Sequence, residues 1–187
     1  MLSILEVPTV RRQVAPISVE TYHALGEQGL VDPRTELLRG VLLEKMSKSP
    51  LHVALVVKLV QLVVAAIRPD QCVRKEDPLT LADSEPEPDI AVVAGAPEDY
   101  RSAHPRTALF VIEVAISTEE VDREKASVYA EAGVAEYWLV LPAVGLVEVH
   151  TQPAGSAYAQ KHIARRGDIL ASSALPELQV ELEKLFA

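Results

Sequence analysis

Asp89, Glu113 and Lys125 are the residues of this chain whose types and settings point most directly to chemistry. Glu113 stands inside residues 109–116, a run that is otherwise apolar up to Ile116. An ionised carboxylate inside such a run is costly unless it is paired or bound to a cation. Alternation along a strand puts Leu109, Val111, Glu113 and Ala115 on one face. Lys125 falls in a segment that reads as a helix. Val121, Val128, Tyr129 and Ala132 recur there at helical spacing, and Lys125 shares their face, between Val121 and Tyr129. Glu120, Glu124, Ser127 and Glu131 occupy the other side. Asp89 follows Pro88 at the mouth of the short apolar run 90–93.

Two acids and a lysine at the ends of neighbouring elements fit a site for a hard divalent ion such as Mg²⁺, completed by waters and substrate phosphate. Such an ion polarises a phosphate and lowers the pKa of an attacking water. The lysine then orients that water or stabilises charge developing on the phosphoryl oxygens. That is the chemistry of phosphodiester hydrolysis, although a site that only binds a metal has the same donors. Each residue also has a plainer reading. Glu113 could sit at a frayed strand end or pair with an arginine, Lys125 could snorkel to the rim, and Pro-Glu-Pro-Asp could be a surface turn.

The elements that must hold these residues follow from the rest of the sequence. The chain has 187 residues, of which 49% are hydrophobic but only 4% aromatic, so one domain with an aliphatic core is expected. Residues 1–17 read as an arm and 18–187 as the domain. Ser18 is placed to cap a helix reaching about Gly29. Residues 35–46 read as a hairpin bent at Gly40. Pro50 suits the start of a helix over 51–67, apolar on most faces and therefore expected to be covered by sheet and partner elements. Strands are expected over 71–75, 90–93, 109–116, 137–141, 146–151 and 156–164. Residues 81–88 and 95–107 read as loops. The helix carrying Lys125 starts at Ser117 or Thr118 and stops at Gly133. The chain closes on an extended piece and the amphipathic turn Leu182, Leu185, Phe186. The predicted class is α/β, with one mixed central sheet flanked by helices.

Other chemistries are disfavoured. Neither a phosphate-binding glycine loop nor a dinucleotide fingerprint occurs. Cys72 is the only cysteine, which excludes an intrachain disulfide and a thiolate zinc site. Residues 53–67, the most apolar window, are interrupted by Lys58 and Gln61 and are short for a membrane span. With no secretory pattern at the N-terminus, a cytoplasmic protein outside the membrane is expected. The formal charge of −9 argues against a broad, sequence-blind grip on nucleic acid, though not against a local basic patch.

Several runs together resemble the Uma2 family of the PD-(D/E)XK restriction-endonuclease-like superfamily. They are Thr35-Glu36-Leu37-Leu38-Arg39-Gly40, Pro88-Asp89-Ile90-Ala91, Val111-Ile112-Glu113-Val114, Asp122 to Lys125, Tyr129 and the run from Gly133 to Val140 that contains Glu136-Tyr137-Trp138. Gly167 to Leu170 and Leu175-Pro176 also fit. The resemblance implies a restriction-endonuclease-like fold, with Asp89 and Glu113 as ligands of Mg²⁺ or Mn²⁺. The superfamily lysine two residues after Glu113 is replaced by Ala115, and Lys125 on the following helix matches the family's displaced lysine. Glu36 or Glu44 resembles an additional N-terminal acid, and His52 a histidine that touches phosphate or water. Departures are Val41 in place of a glutamate after the hairpin glycine, Ile116-Ser117-Thr118 in place of Ser-Pro, and Leu141-Pro142 in place of Asp-Pro.

The resemblance implies an endonuclease acting on DNA, in a homodimer that supplies two sites for two strands. A noncatalytic interaction protein with the same fold, or a hydrolase of small phosphodiesters, also suits an acidic chain. The DNA reading expects Arg68, Arg74, Lys75, Arg101 and Arg106 to flank one groove.

Overall fold

The computed structural model describes residues 4–187. The first part of the chain forms a short helix α1 (Pro8–Arg11) and a longer one, α2 (Val19–Glu27). Ser18 caps α2 by accepting from the Thr21 amide at 3.2 Å. Strands β1 (Thr35–Leu38) and β2 (Val41–Glu44) then pair as a hairpin. Arg39 and Gly40 at its tip both have positive φ, 53° and 73°, the pairing that a tight two-residue hairpin demands. Gly40 is required for a second reason: a Cβ there would collide with Pro16 of the preceding segment. Helix α3 (Pro50–Ala66) starts at the Ser49 cap, which accepts from the His52 amide at 3.2 Å.

The central sheet has six strands: β3 (Gln71–Arg74), β4 (Ile90–Ala94), β5 (Phe110–Val114), β6 (Glu136–Leu141), β7 (Leu146–Ala154) and β8 (Ala157–Arg165), side by side in chain order. All neighbours are antiparallel except β5 and β6. A parallel pair needs a crossover, which is helix α4 (Glu119–Glu131). Because β4 runs against β5, with Ile90 opposite Ile112, the start of β4 lies beside the end of β5. That topology brings Asp89 next to Glu113. The hairpin β1–β2 is a separate two-stranded sheet, joined to the body through a bridge between Leu37 and Glu85.

Alternating side chains divide the core into two layers. Ile90, Val92, Phe110, Ile112, Trp138 and Val140 face α3 and the C-terminal segment, which comprises β9 (Ile169–Ala171), β10 (Gln179–Glu181) and α5 (Leu182–Leu185). Ala91, Val93, Val111, Ala115, Tyr137 and Leu139 face α4. The few aromatics are central: Trp138, Tyr129, Tyr137 and Phe110 are the largest fully buried side chains. No helix of the described residues is long and apolar enough to cross a membrane.

Several expectations are corrected. The strand read over 109–116 is shorter, and the loop read over 95–107 contains a 3₁₀ turn at Pro97–Tyr100. Helix α3 is covered on one side only; Val53, Val57 and Val64 of its outer side are exposed. On α4, Val121 is exposed instead of facing inward, and Asp122 takes its place beside Lys125.

Glu136 ties the C-terminal segment to the sheet. Its Oε2 accepts from the Ser172 and Ser173 hydroxyls (3.0 and 2.7 Å) and the Ser173 and Ala174 amides (both 2.8 Å). Its Oε1 accepts from the Trp138 indole at 2.6 Å. Removing such an acceptor strands buried donors, at about 1–3 kcal/mol for each. Glu136→Ala is therefore expected to lower stability by about 3 kcal/mol or more in denaturant unfolding followed by Trp138 fluorescence; a loss under about 1 kcal/mol would contradict this role.

Candidate active site

The strand topology sets the distances at the mouth of the sheet. The Asp89 amide donates to Glu113 Oε2 at 3.2 Å, and the Val114 amide donates to Asp89 Oδ2 at 2.8 Å, so the two acids are locked to each other's backbone. His52, in the first turn of α3, places Nε2 3.0 Å from the same Asp89 Oδ2. Its Nδ1 is buried without a partner among the described residues. Asp89 Oδ1 has no hydrogen-bond partner among the described residues, and Asp89 lines a cleft of about 730 Å³ together with Glu113, His52, Glu36, Asp122 and Lys125.

Lys125 is only 5% exposed. Its ammonium lies 3.1 Å from Glu36, 3.1 Å from Glu113 and 3.4 Å from Asp122. The ammonium donates a hydrogen bond to Glu113 Oε1 and is ion-paired with the Glu36 and Asp122 carboxylates. Glu36 reaches this point because its hairpin is held to the body by hydrogen bonds from the Glu85 amide to Leu37 O (2.7 Å) and from the Gly40 amide to Asp83 O (2.9 Å). Arg39 adds a tie from the hairpin tip to Glu131 of α4. Tyr129, one helical turn beyond Lys125, donates its hydroxyl to Glu113 Oε1 at 2.8 Å. Thr118 donates to Asp122 Oδ2, and Tyr137 donates to the Asp122 carbonyl at 2.8 Å.

The structure thus brings together Asp89, Glu113, Lys125, His52 and Glu36. Glu44 is apart from the cluster. It pairs in register with Thr35 while Glu36 pairs with Leu43, so it points to the other face of the hairpin and is exposed at the cleft rim. Two residues escaped the sequence reading. Asp122 entered only as the start of a run that resembles the family. Tyr129 looked like core. Their signal was present in the i, i+3 and i+4 spacing around Lys125, which puts all of them on its side of the helix.

One positive charge serves several acids, and the consequences run in opposite senses. Burial pushes the Glu113 carboxyl up to about 8; Lys125 opposes the rise, while Asp122, Asp89 and Glu36 add to it. Burial also raises Asp122, again against Lys125. Burial alone would lower Lys125, but Glu113, Glu36 and Asp122 more than offset it and hold the ammonium above the usual lysine range. Among the described residues, no three His, Cys, Asp or Glu side chains already form a pocket for a metal ion. The point shared by Glu36, Glu113 and Asp122 is filled by the Lys125 ammonium.

The cleft as a whole is acidic. Its lining holds seven acids (Glu36, Glu44, Glu76, Glu87, Asp89, Glu113, Asp122) and four bases (Arg34, Lys45, Lys48, Lys125). Lys45 is paired with Glu87 at 2.6 Å, and Lys48 is paired with Glu76. Arg68, Arg74, Lys75, Arg101 and Arg106 are all absent from this lining.

The raised Glu113 value has a defined consequence for stability. Between its ordinary 4.5 and about 8 the folded chain holds a proton that the unfolded chain has released. The Glu113 contribution to stability is thus full below about 4.5 and is lost as pH rises through about 8. Without added divalent ions, the melting temperature should fall between about pH 5 and 8.5, and Glu113→Gln should flatten that slope. An equal slope in both proteins would contradict the assignment.

Comparison with known proteins gives the family and the fold. The Uma2 family model, described as "Putative restriction endonuclease", matches residues 19–183. Among solved structures, the chain is similar to a putative nuclease belonging to DUF820 from Anabaena variabilis ATCC 29413. The TM-score is 0.75 at 20% identity, covering 91% of this chain and 98% of that one. At that identity the likeness is one of fold. No curated protein matches the chain at a significant level. Since the family match spans nearly the whole chain, including every element that builds the cleft, this protein belongs to the Uma2 family.

Proposed function

We propose that the chain is a divalent-metal-dependent endonuclease that hydrolyses DNA phosphodiester bonds at the Asp89–Glu113–Lys125 cluster. The observation that carries the proposal is the convergence of three donors on one carboxylate. Glu113 Oε2 accepts from Asp89, and Glu113 Oε1 accepts from both Lys125 and Tyr129. Nuclease-like function is consistent with the family description; the substrate and the ion are parts of the proposal.

The donor set fits a hard cation. Asp89 offers an unengaged Oδ1 beside the cleft, and Glu113 is adjacent, so Mg²⁺ or Mn²⁺ held by these two carboxylates would need only waters and phosphate oxygens to complete its shell. Glu36 is the available third acid, and Glu44 is exposed at the rim. When bound, the ion supplies Lewis-acid polarisation of the phosphate and a more acidic water. The chain's own groups do the rest. His52 and the Val114 amide fix Asp89 Oδ2 and so orient the carboxyl plane. Tyr129 fixes Glu113. Lys125 orients the attacking water or stabilises charge on the phosphoryl oxygens. Since its ammonium lies among three carboxylates at rest, it must part from at least one of them to do so.

One observation favours a different reading. A cleft with seven acids and four bases attracts a long polyanion poorly on its own. This suits a small phosphodiester substrate, or a noncatalytic protein in which Lys125 is simply the counter-ion of the cluster. A cleavage assay separates these readings, using plasmid and single-stranded DNA with Mg²⁺ or Mn²⁺. Wild type should cut, and Glu113→Ala and Lys125→Ala should each lose about 100-fold or more in rate. Equal cutting by all three proteins would place the activity elsewhere, and no cutting by wild type would remove the DNA reading.

A further inference from the structure

We infer that Asp122 is a positioning residue for Lys125, the partner that keeps the ammonium in the cleft when the other carboxylates serve a divalent ion. The inference rests on the metal-dependent reading above and adds a residue to it. At rest the Lys125 ammonium lies 3.1 Å from Glu36, 3.1 Å from Glu113 and 3.4 Å from Asp122, and all four side chains are buried. In that reading Glu113 is a ligand and Glu36 the available third acid. Lys125 therefore competes with the ion for both, and like charges repel. Asp122 is the carboxylate left to it.

Three observations single Asp122 out. First, its distance from Lys125 is set within one helix. The two residues are three apart on α4, where side chains meet on one face. Glu36 belongs instead to the separate hairpin sheet, and Glu113 to β5. Second, the Asp122 carboxylate is held from its own element. Oδ2 accepts from the Thr118 hydroxyl, and Oδ1 is the oxygen that faces Lys125. The Asp122 carbonyl accepts from Tyr137 of β6 at 2.8 Å, which ties this turn of α4 to the sheet. Third, the bond from Thr118 replaces a helix cap. Thr118 stands at the N-cap of α4, where a threonine oxygen ordinarily accepts from a backbone amide of the first turn. Its side chain makes no such bond. The serines that begin α2 and α3, Ser18 and Ser49, do cap in the ordinary way.

A counter-ion role alone does not explain this acid. Glu36 and Glu113 already supply two negative charges to one ammonium. Asp122 and Asp89 add to the excess that pushes the Glu113 carboxyl up. Another buried carboxylate is costly where negative charge is in surplus. It becomes the needed partner when Glu113 and Glu36 are taken. Lys125 then has one fixed partner in place of three, and its remaining donors are free for a phosphoryl oxygen or the attacking water.

Proton–nitrogen correlation spectra of the Lys125 ammonium, recorded with and without saturating Mg²⁺, test this on the full chain. A buried, hydrogen-bonded ammonium gives a sharp signal, and one released to water loses it to exchange. Without the ion, wild type and Asp122→Asn should both show the signal, because Glu113 and Glu36 hold the lysine in either protein. With Mg²⁺, wild type should keep it and Asp122→Asn should lose it. Thr118→Val should weaken it in the same ion-dependent way, and Thr118→Ser should restore it. In the cleavage assay, Asp122→Asn should lower kcat about tenfold or more with KM little changed. A signal that survives Mg²⁺ in Asp122→Asn would overturn the inference, and so would one already lost there without the ion, which marks a structural role. A loss of Mg²⁺ affinity of about tenfold or more in Asp122→Asn would also overturn it, by making Asp122 a ligand. A wild type that binds no Mg²⁺ would instead remove the metal-dependent reading, and the inference with it.

Discussion

A single buried ammonium organises the end of this molecule where the elements meet. Lys125 accommodates the hairpin through Glu36, the central strand through Glu113, and its own helix through Asp122, all within 3.4 Å. Two charges brought together in a low-dielectric interior interact strongly, but their desolvation is costly, and neither can be removed alone without leaving the other uncompensated. The arrangement is also unbalanced, because Asp89 stands beside the cluster and adds negative charge. Burial and this excess together push the Glu113 carboxyl up, and a proton there would relieve the excess. A bound divalent ion would relieve it too, and this competition is the physical link between the fold and the proposed chemistry.

Much of this was legible in sequence because it is written in local periodicity. Alternation placed Glu113 on the α4 face of its strand, and that layer indeed holds Val111 and Ala115. Helical spacing turned Lys125 inward. The Pro50 helix start and the Ser18 cap were visible for the same reason, since capping is a property of a few consecutive residues. The mixed sheet and the family followed from the order of these pieces.

What depended on contacts between distant segments was not legible. Glu36 and Glu44 are equally acidic and belong to the same hairpin. Only the register, with Glu36 opposite Leu43, decides that Glu36 faces the cluster and Glu44 the rim. Asp122 was named only within a family-like run, and its place beside Lys125 came from the structure. The role of Glu136 could not be seen either, because its partners Ser172, Ser173 and Ala174 lie more than thirty residues away. Helix α3 misled in an instructive way: an apolar run implies cover on most sides, yet the described residues cover only the side facing the sheet.

The central claim is that a divalent ion and the Glu113 proton compete for the same carboxyl cluster. The most direct test is calorimetric titration of Mn²⁺ into the protein near pH 7 in several buffers of different ionisation enthalpy, which counts the protons released on binding. The account predicts saturable binding with release of about one proton per ion, and loss of that release in Glu113→Gln. Binding with no proton release, or no binding at all, would contradict it.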